Sequence, residues 1–272
     1  MKKTVVLFAG FGAPPPSEEG IRDFLKRLSG REPSKYAINE LINRYEKIGG
    51  SPFMEKVRSV CFDISKVTGL PCSPVMKYTP PFLEDVLKEV DGEKFIIFPL
   101  SPFSAGKDFS EEIRRIIIQN GGEAISVENW GLSEVFVDFA SKFIKREKKE
   151  GELLFTAHSL PVNFQNYRES VYGSAKRIAE KAGIQKFFIG FQSGREGWLS
   201  PGIDDVINEI KSAEITLFPF GFFAECLETL YDLDILLKEK AVSLGIKINR
   251  LSALSEIEGF TDFLIYEIRK RI

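Results

Sequence analysis

The chain has 272 residues, 43% hydrophobic and 28% charged, which suits a globular protein with one large core or two ordinary ones. Lys and Arg number 37 against 39 Asp and Glu, a balance that argues against a nucleic-acid binder with a basic face. Three scattered cysteines, Cys61, Cys72 and Cys226, form no paired spacing; this argues against structural zinc or an iron–sulfur cluster and suits a reducing cytosol.

The opening MKKTVVLFAGFGAPPP has an apolar run too short for a signal sequence, and it leads into a Gly/Pro loop rather than a cleavage site. No run approaches the roughly 20 apolar residues of a spanning helix. The expected location is cytoplasmic, with at most peripheral contact with a membrane, and nothing in the pattern sets an oligomeric state.

In chain order, short apolar runs alternate with longer amphipathic stretches. Strands are predicted at 4–10, 94–100, 153–158, 186–192 and 214–220, with weaker ones at 74–79, 123–129 and 247–253. Helical patterns include EEGIRDFLKRL, SKYAINELINRYEKI, SEEIRRIIIQN, SEVFVDFASKFIKREKKE, ESVYGSAKRIAEKAG and CLETLYDLDILLKEKAVSLG. Runs that are apolar throughout, alternating with helices, imply parallel sheets covered on both faces and an α/β class. FIIFPLSPFSAG (95–106) echoes ITLFPFGFFAEC (215–226), and VVLFAGFG (5–12) echoes LLFTAHS (153–159). The echo predicts two similar domains, 1–127 and 128–255, with a final helix at 256–272 packing back on the first. Ligands of open α/β sheets bind beyond the carboxyl ends of strands, so a cleft lined by those loops is expected.

Four stretches carry the chemistry. His158, the only histidine, ends a predicted strand in LLFTAHSLP. It is either a hydrogen-bonded structural residue or a proton and metal handler in the loop. In AECLETLYDLD (224–234), Glu225, Glu228 and Asp232 fall at i, i+3 and i+7, one face of an α-helix. Carboxylates suit a first helical turn, yet these emerge beside the apolar FPFGFF. In GFQSGREGWLSPGIDDVI (190–207) a glycine-rich turn leads to Trp198; there is no phosphate-cradling glycine motif. In NRYEKIGGSPF (43–53) a helix stops at Gly-Gly, and Arg44 either meets an anionic ligand or pairs with Glu40 one turn earlier. The segment 10–28 predicts an amphipathic helix with Ile21, Phe24, Leu25 and Leu28 on one face, either lining a cleft mouth or packing on the sheet.

Together these stretches resemble the ferrochelatase family, in family order and over nearly the whole chain. LFTAHSLP resembles the catalytic-histidine motif, GFQSGREGWLSP the QS…WLGP stretch, FGFFAECLETLYDLD the helix with the catalytic glutamate, and RYEKIGGSP the R-Y-x-x-I-G-G-x-S-P motif. The resemblance implies two Rossmann-like domains in a chelatase-like fold and insertion of Fe²⁺ into a porphyrin, protoporphyrin IX or coproporphyrin III, in haem biosynthesis. It implies His158 and Glu228 as catalytic and metal-handling residues, and Phe11, Arg44, Tyr45, Ser51 and Trp198 as porphyrin contacts. Iron and porphyrin enter as substrates, with no tightly bound cofactor.

The chain departs from the family at several positions. Phe11, which cannot coordinate a metal, stands where many members have Tyr or Met. Cys226 replaces the histidine two places before the glutamate, and Leu236 interrupts the acidic row after Asp232. Leu28-Ser29 stands where some relatives carry an arginine pair. Two other readings remain open at this level: a class II chelatase for another metal and tetrapyrrole, and a porphyrin- or haem-binding protein without turnover.

Overall fold

The computed structural model describes residues 2–103 and 107–272; the last three residues of the 95–106 echo lie outside them. The chain divides into two compact units. One comprises Met1–Leu100, Gly106–Val127 and Leu264–Ile272, the other Ser101–Ala105 and Glu128–Phe263.

In the first unit, β1 (Thr4–Gly10) is flanked by β2 (Cys72–Met76) and β3 (Lys94–Pro99), with β4 (Glu123–Ser126) at the edge. All pairings are parallel. The core strand TVVLFAG is buried along nearly its whole length, whereas edge strand β4 alternates exposed and half-buried residues. The helices are α1 (Glu18–Ser29), α2 (Lys35–Lys47), α3 (Phe53–Thr68), α4 (Leu83–Glu89) and α5 (Lys107–Gln119). Ser17 and Ser34 cap α1 and α2 by accepting from the backbone N–H three residues on. Val5, Leu7, Val75, Ile97, Ile113 and Ile117 form the core on one face of this sheet. Of the predicted apolar face of α1, Ile21 is buried, Phe24 and Leu25 are half-buried, and Leu28 is exposed.

The second unit repeats the strand order. Here β5 (Glu152–His158) is flanked by β6 (Phe187–Gln192) and β7 (Glu214–Phe218), with β8 (Lys247–Arg250) at the edge. These pairings are also parallel. Its helices are α6 (Glu134–Glu147), α7 (Gln165–Ala182), α8 (Ile203–Glu209) and a π-helix over Glu228–Leu237 that continues into α9 (Lys238–Ser243); α10 (Phe260–Arg269) begins in this unit and ends in the first. Leu154, Ile203, Ile207, Leu217, Leu233 and Leu237 form one core of this unit. Phe155, Phe218 and Phe220 form a second apolar layer.

Three expectations need correction. The stretch after Cys226 is a π-helix rather than an α-helix, so its backbone bonds close on i+5. Residues just after Leu100 belong with the second unit: Pro102 accepts from the Gly131 N–H, and Phe103 packs edge-on against Phe220. The last helix is shorter than 256–272, because a 3₁₀ turn at Leu254–Glu256 and left-handed Gly259 precede it. Phe260 and Phe263 pack with Trp130, while the helix from Leu264 onward is counted with the first unit. There Lys94 Nζ donates to the carbonyls of Arg271 and Ile272.

The loop after β7 lies against β5. Gly221 N–H donates to Thr156 O at 3.1 Å, and a Cβ on Gly221 would stand 2.6 Å from Ala157 Cβ. Gly221→Val is therefore expected to destabilise the protein by about 1–3 kcal/mol through overpacking, measured by urea denaturation.

Candidate functional site

Apolar residues bury β5 as far as Ala157, and the strand then delivers His158, half-buried, at its carboxyl end. His158 Nδ1 lies 2.5 Å from the carbonyl of Ser159. A carbonyl only accepts, so in the neutral ring this contact places the proton on Nδ1 and the lone pair on Nε2. Buried Tyr167 on α7 donates its O–H to the His158 carbonyl at 2.9 Å. Burial pushes the Tyr167 phenol far above its usual range, so it stays a neutral donor.

The loops after β5 and β6 are laced together. Ser159 is fully buried; its N–H donates to Gln192 O at 2.8 Å and its Oγ to Leu199 O at 2.9 Å. Leu199 N–H returns a bond to Leu160 O at 2.7 Å, and Pro161 pairs with Trp198 in an isolated bridge. This places the Trp198 ring 6.2 Å from the His158 ring, centroid to centroid, and Arg195 lies over the Trp198 ring at 4.5 Å.

The loop after β7 leads into the π-helix, and the three carboxylates of the predicted row meet different fates. Glu225 precedes the helix and takes a two-point ion pair from Arg250 at the end of β8, with contacts of 2.6 and 2.5 Å. It also accepts from the Ala253 N–H. Burial pushes the Glu225 carboxyl up, but the hydrogen bonds and charge of Arg250 outweigh it and hold the group below the usual carboxylate range. Arg250 binds Asp234 as well, at 3.0 and 3.2 Å; there burial dominates and Asp234 lies above its usual value. Asp232 accepts from Ser193 Oγ at 2.7 Å, tying the π-helix to the β6 loop.

Glu228 is half-buried, and among the described residues it has no ion-pair partner. The three carboxylates expected on one helix face thus have different partners: Glu225 an arginine and Asp232 a serine. Cys226, two residues earlier, is held neutral: burial pushes its thiol well up, and the charge of Glu228 adds to this. Among the described residues no three His, Cys, Asp or Glu side chains converge as a metal cage.

The remaining predicted residues lie in the first unit. Phe11 is 45% exposed and its ring stands 5.7 Å from Tyr78. Arg44 Nε donates to Glu40 Oε1 at 2.8 Å, the helix-surface pairing. Tyr45 is buried, so its ring offers little ligand surface. Ser51 Oγ accepts from Phe53 N–H at the start of α3, after Gly49 and Gly50 turn the chain with φ of 71° and 97°. A cavity of about 370 Å³ in this unit is lined by Lys77, Tyr78, Phe82, Phe109 and Glu112, none of which the motifs singled out, together with Arg27 of the segment 10–28.

The chain matches the ferrochelatase family over residues 3–272. It is 29% identical to "Coproporphyrin III ferrochelatase 2" of Bacillus cereus, over 100% of this chain and 95% of that protein. It is 28% identical to "Coproporphyrin III ferrochelatase" of a Geobacillus species, over 100% and 98%. The sirohydrochlorin chelatase SirB of Bacillus subtilis superimposes with a TM-score of 0.61 at 12% identity, covering 98% of this chain and 94% of that one. That likeness shows the shared two-sheet fold.

The Glu225–Arg250 pair makes a pH-dependent contribution. With its native pKa depressed, Glu225 adds stability that is fully present above its unfolded pKa of about 4.3 and fades as pH falls towards the lower native value. Glu225→Gln should therefore destabilise clearly at pH 6 and less at pH 3.5. Urea melts of both proteins at the two pH values check this.

Proposed function

This chain belongs to the ferrochelatase family, enzymes that insert metal into a porphyrin, and we propose that its reaction places Fe²⁺ in coproporphyrin III. The observation that carries the proposal is topological: the segments that carry His158 and Glu228 follow two strands that pair in parallel and so leave the sheet on the same edge. His158 closes β5 with Nδ1 engaged by the Ser159 carbonyl and, among the described residues, no partner at Nε2; Glu228 follows the adjacent strand β7 and, among the described residues, has no ion pair. The names of the relatives support the four-propionate substrate over protoporphyrin IX.

Metallation removes two protons from pyrrole nitrogens and replaces iron's water with those nitrogens. On this reading His158 Nε2 accepts a pyrrole proton, and its ring is held for that task through Nδ1 and through the Tyr167 contact to its carbonyl. Glu228 supplies a hard oxygen to Fe²⁺ and relieves it of water. One nitrogen and one oxygen are a weak ligand set, which suits a metal that must move on into the macrocycle. Trp198, beside the imidazole, offers a flat apolar surface to the tetrapyrrole edge. Phe11, Arg44 and Ser51 are proposed as contacts from the first unit, Phe11 by its exposed ring.

Purified protein is incubated anaerobically with Fe²⁺ and either coproporphyrin III or protoporphyrin IX, and the absorbance change on metallation is followed. Turnover is expected with coproporphyrin III. It should fall about a hundredfold or more in His158→Ala and in Glu228→Gln, the usual scale for losing a proton-transfer group, while porphyrin affinity stays within a few-fold. Tight porphyrin binding by the wild type without turnover would overturn the enzymatic reading.

A further inference from the structure

Arg250 lies outside every motif that points to metallation, yet it is committed to the stretch that carries Glu228. Its guanidinium has five N–H donors, and all five are used. One edge, Nη1 and Nη2, holds both oxygens of Glu225; the other, Nε and Nη2, holds both oxygens of Asp234; the last Nη1–H goes to the Leu251 carbonyl. The side chain is 16% exposed. Saturated in this way, it has no donor left for a substrate.

The two clamped carboxylates bracket Glu228 in the chain. Glu225 sits in the loop just before the π-helix, and Asp234 sits within it. A π-helix is a rare backbone form that needs outside support and recurs at functional sites. Leu233 and Leu237 supply apolar anchorage, but they fix only the buried side of the helix. Arg250 fixes where the helix starts and how it is turned, because a planar fork bound on two edges permits little rotation. The single charge of Arg250 is shared between the carboxylates on either side of Glu228, while Glu228 itself, among the described residues, has no ion pair.

We propose that Arg250 is a positioning residue for metal insertion, holding Glu225 and Asp234 in one plane so that Glu228 presents its carboxylate to iron. The inference rests on the reading of Glu228 as the metal-handling carboxylate. Arg250→Lys keeps the charge without the two-edged fork. Asp234→Asn loosens one edge and leaves the Glu225 pair in place, and it decides the matter should the lysine variant not fold.

Both variants, Glu228→Gln and the wild type are assayed with Fe²⁺ and coproporphyrin III at a temperature where circular dichroism shows native protein. Porphyrin affinity is measured separately by fluorescence quenching. The expected result is a kcat about tenfold to a hundredfold lower in Arg250→Lys, the scale of an ångström-level misplacement of a catalytic group. A smaller loss is expected in Asp234→Asn, with porphyrin Kd within twofold in both. Unchanged kcat in natively folded variants that only melt at lower temperature would overturn the positioning role. So would a drop in porphyrin affinity equal to the drop in turnover. Full turnover in Glu228→Gln would instead remove the premise, and so separates the two failures.

Discussion

Parallel pairing on both sides of β5 is the constraint from which the site follows. With β6 and β7 running the same way as β5, the chain must leave all three strands on one edge of the sheet. The loops that carry His158, Trp198 and Glu228 are therefore neighbours by topology, although 70 residues separate the histidine from the glutamate. Gly221 lets the β7 loop touch the β5 backbone directly, and Ser159 ties the β5 loop to the β6 strand end. Each bond involves a buried backbone group that would otherwise be left without a partner.

The two edges of the second sheet are built from different interactions. At the amino ends of the strands, Lys186 with Glu152 and Lys247 with Glu214 form ion pairs close to solvent, of a kind that contributes little. At the carboxyl ends, buried Ser159 and Tyr167 and half-buried Arg250 with its two carboxylates are held by hydrogen bonds. Buried networks of this sort are a poor source of stability but a good source of unique geometry. These networks hold the segments on which His158 and Glu228 lie, as the proposed function requires.

The fold class was legible because strands such as TVVLFAG and ELLFTAH are apolar on both faces, a pattern that only a covered parallel sheet explains. The helix type after Cys226 was not legible, since ETLYDLDILL has apolar spacing that α and π backbones both tolerate. The separation of Glu225 from Glu228 was also hidden. It depends on Arg250, 25 residues downstream on an edge strand, and local spacing says nothing about such a partner. The role of Tyr167 was hidden for the same reason, its target being a backbone carbonyl. The Arg44–Glu40 pair was readable because it lies one helical turn apart.

The departures from the family pattern act in one direction. Phe11 offers no donor to a metal, Leu236 ends the run of carboxylates, and Cys226 is kept as a neutral thiol by burial and by the charge of Glu228. A thiolate beside Glu228 would add a soft donor, which holds soft divalent metals tightly. Keeping that thiol protonated confines the donors to one imidazole nitrogen and one carboxylate. On the proposed reading, that weak pair would strip iron of its water without retaining it. The porphyrin's four nitrogens would then be the stronger site, and a donor set this sparse suits transfer of the metal rather than its retention.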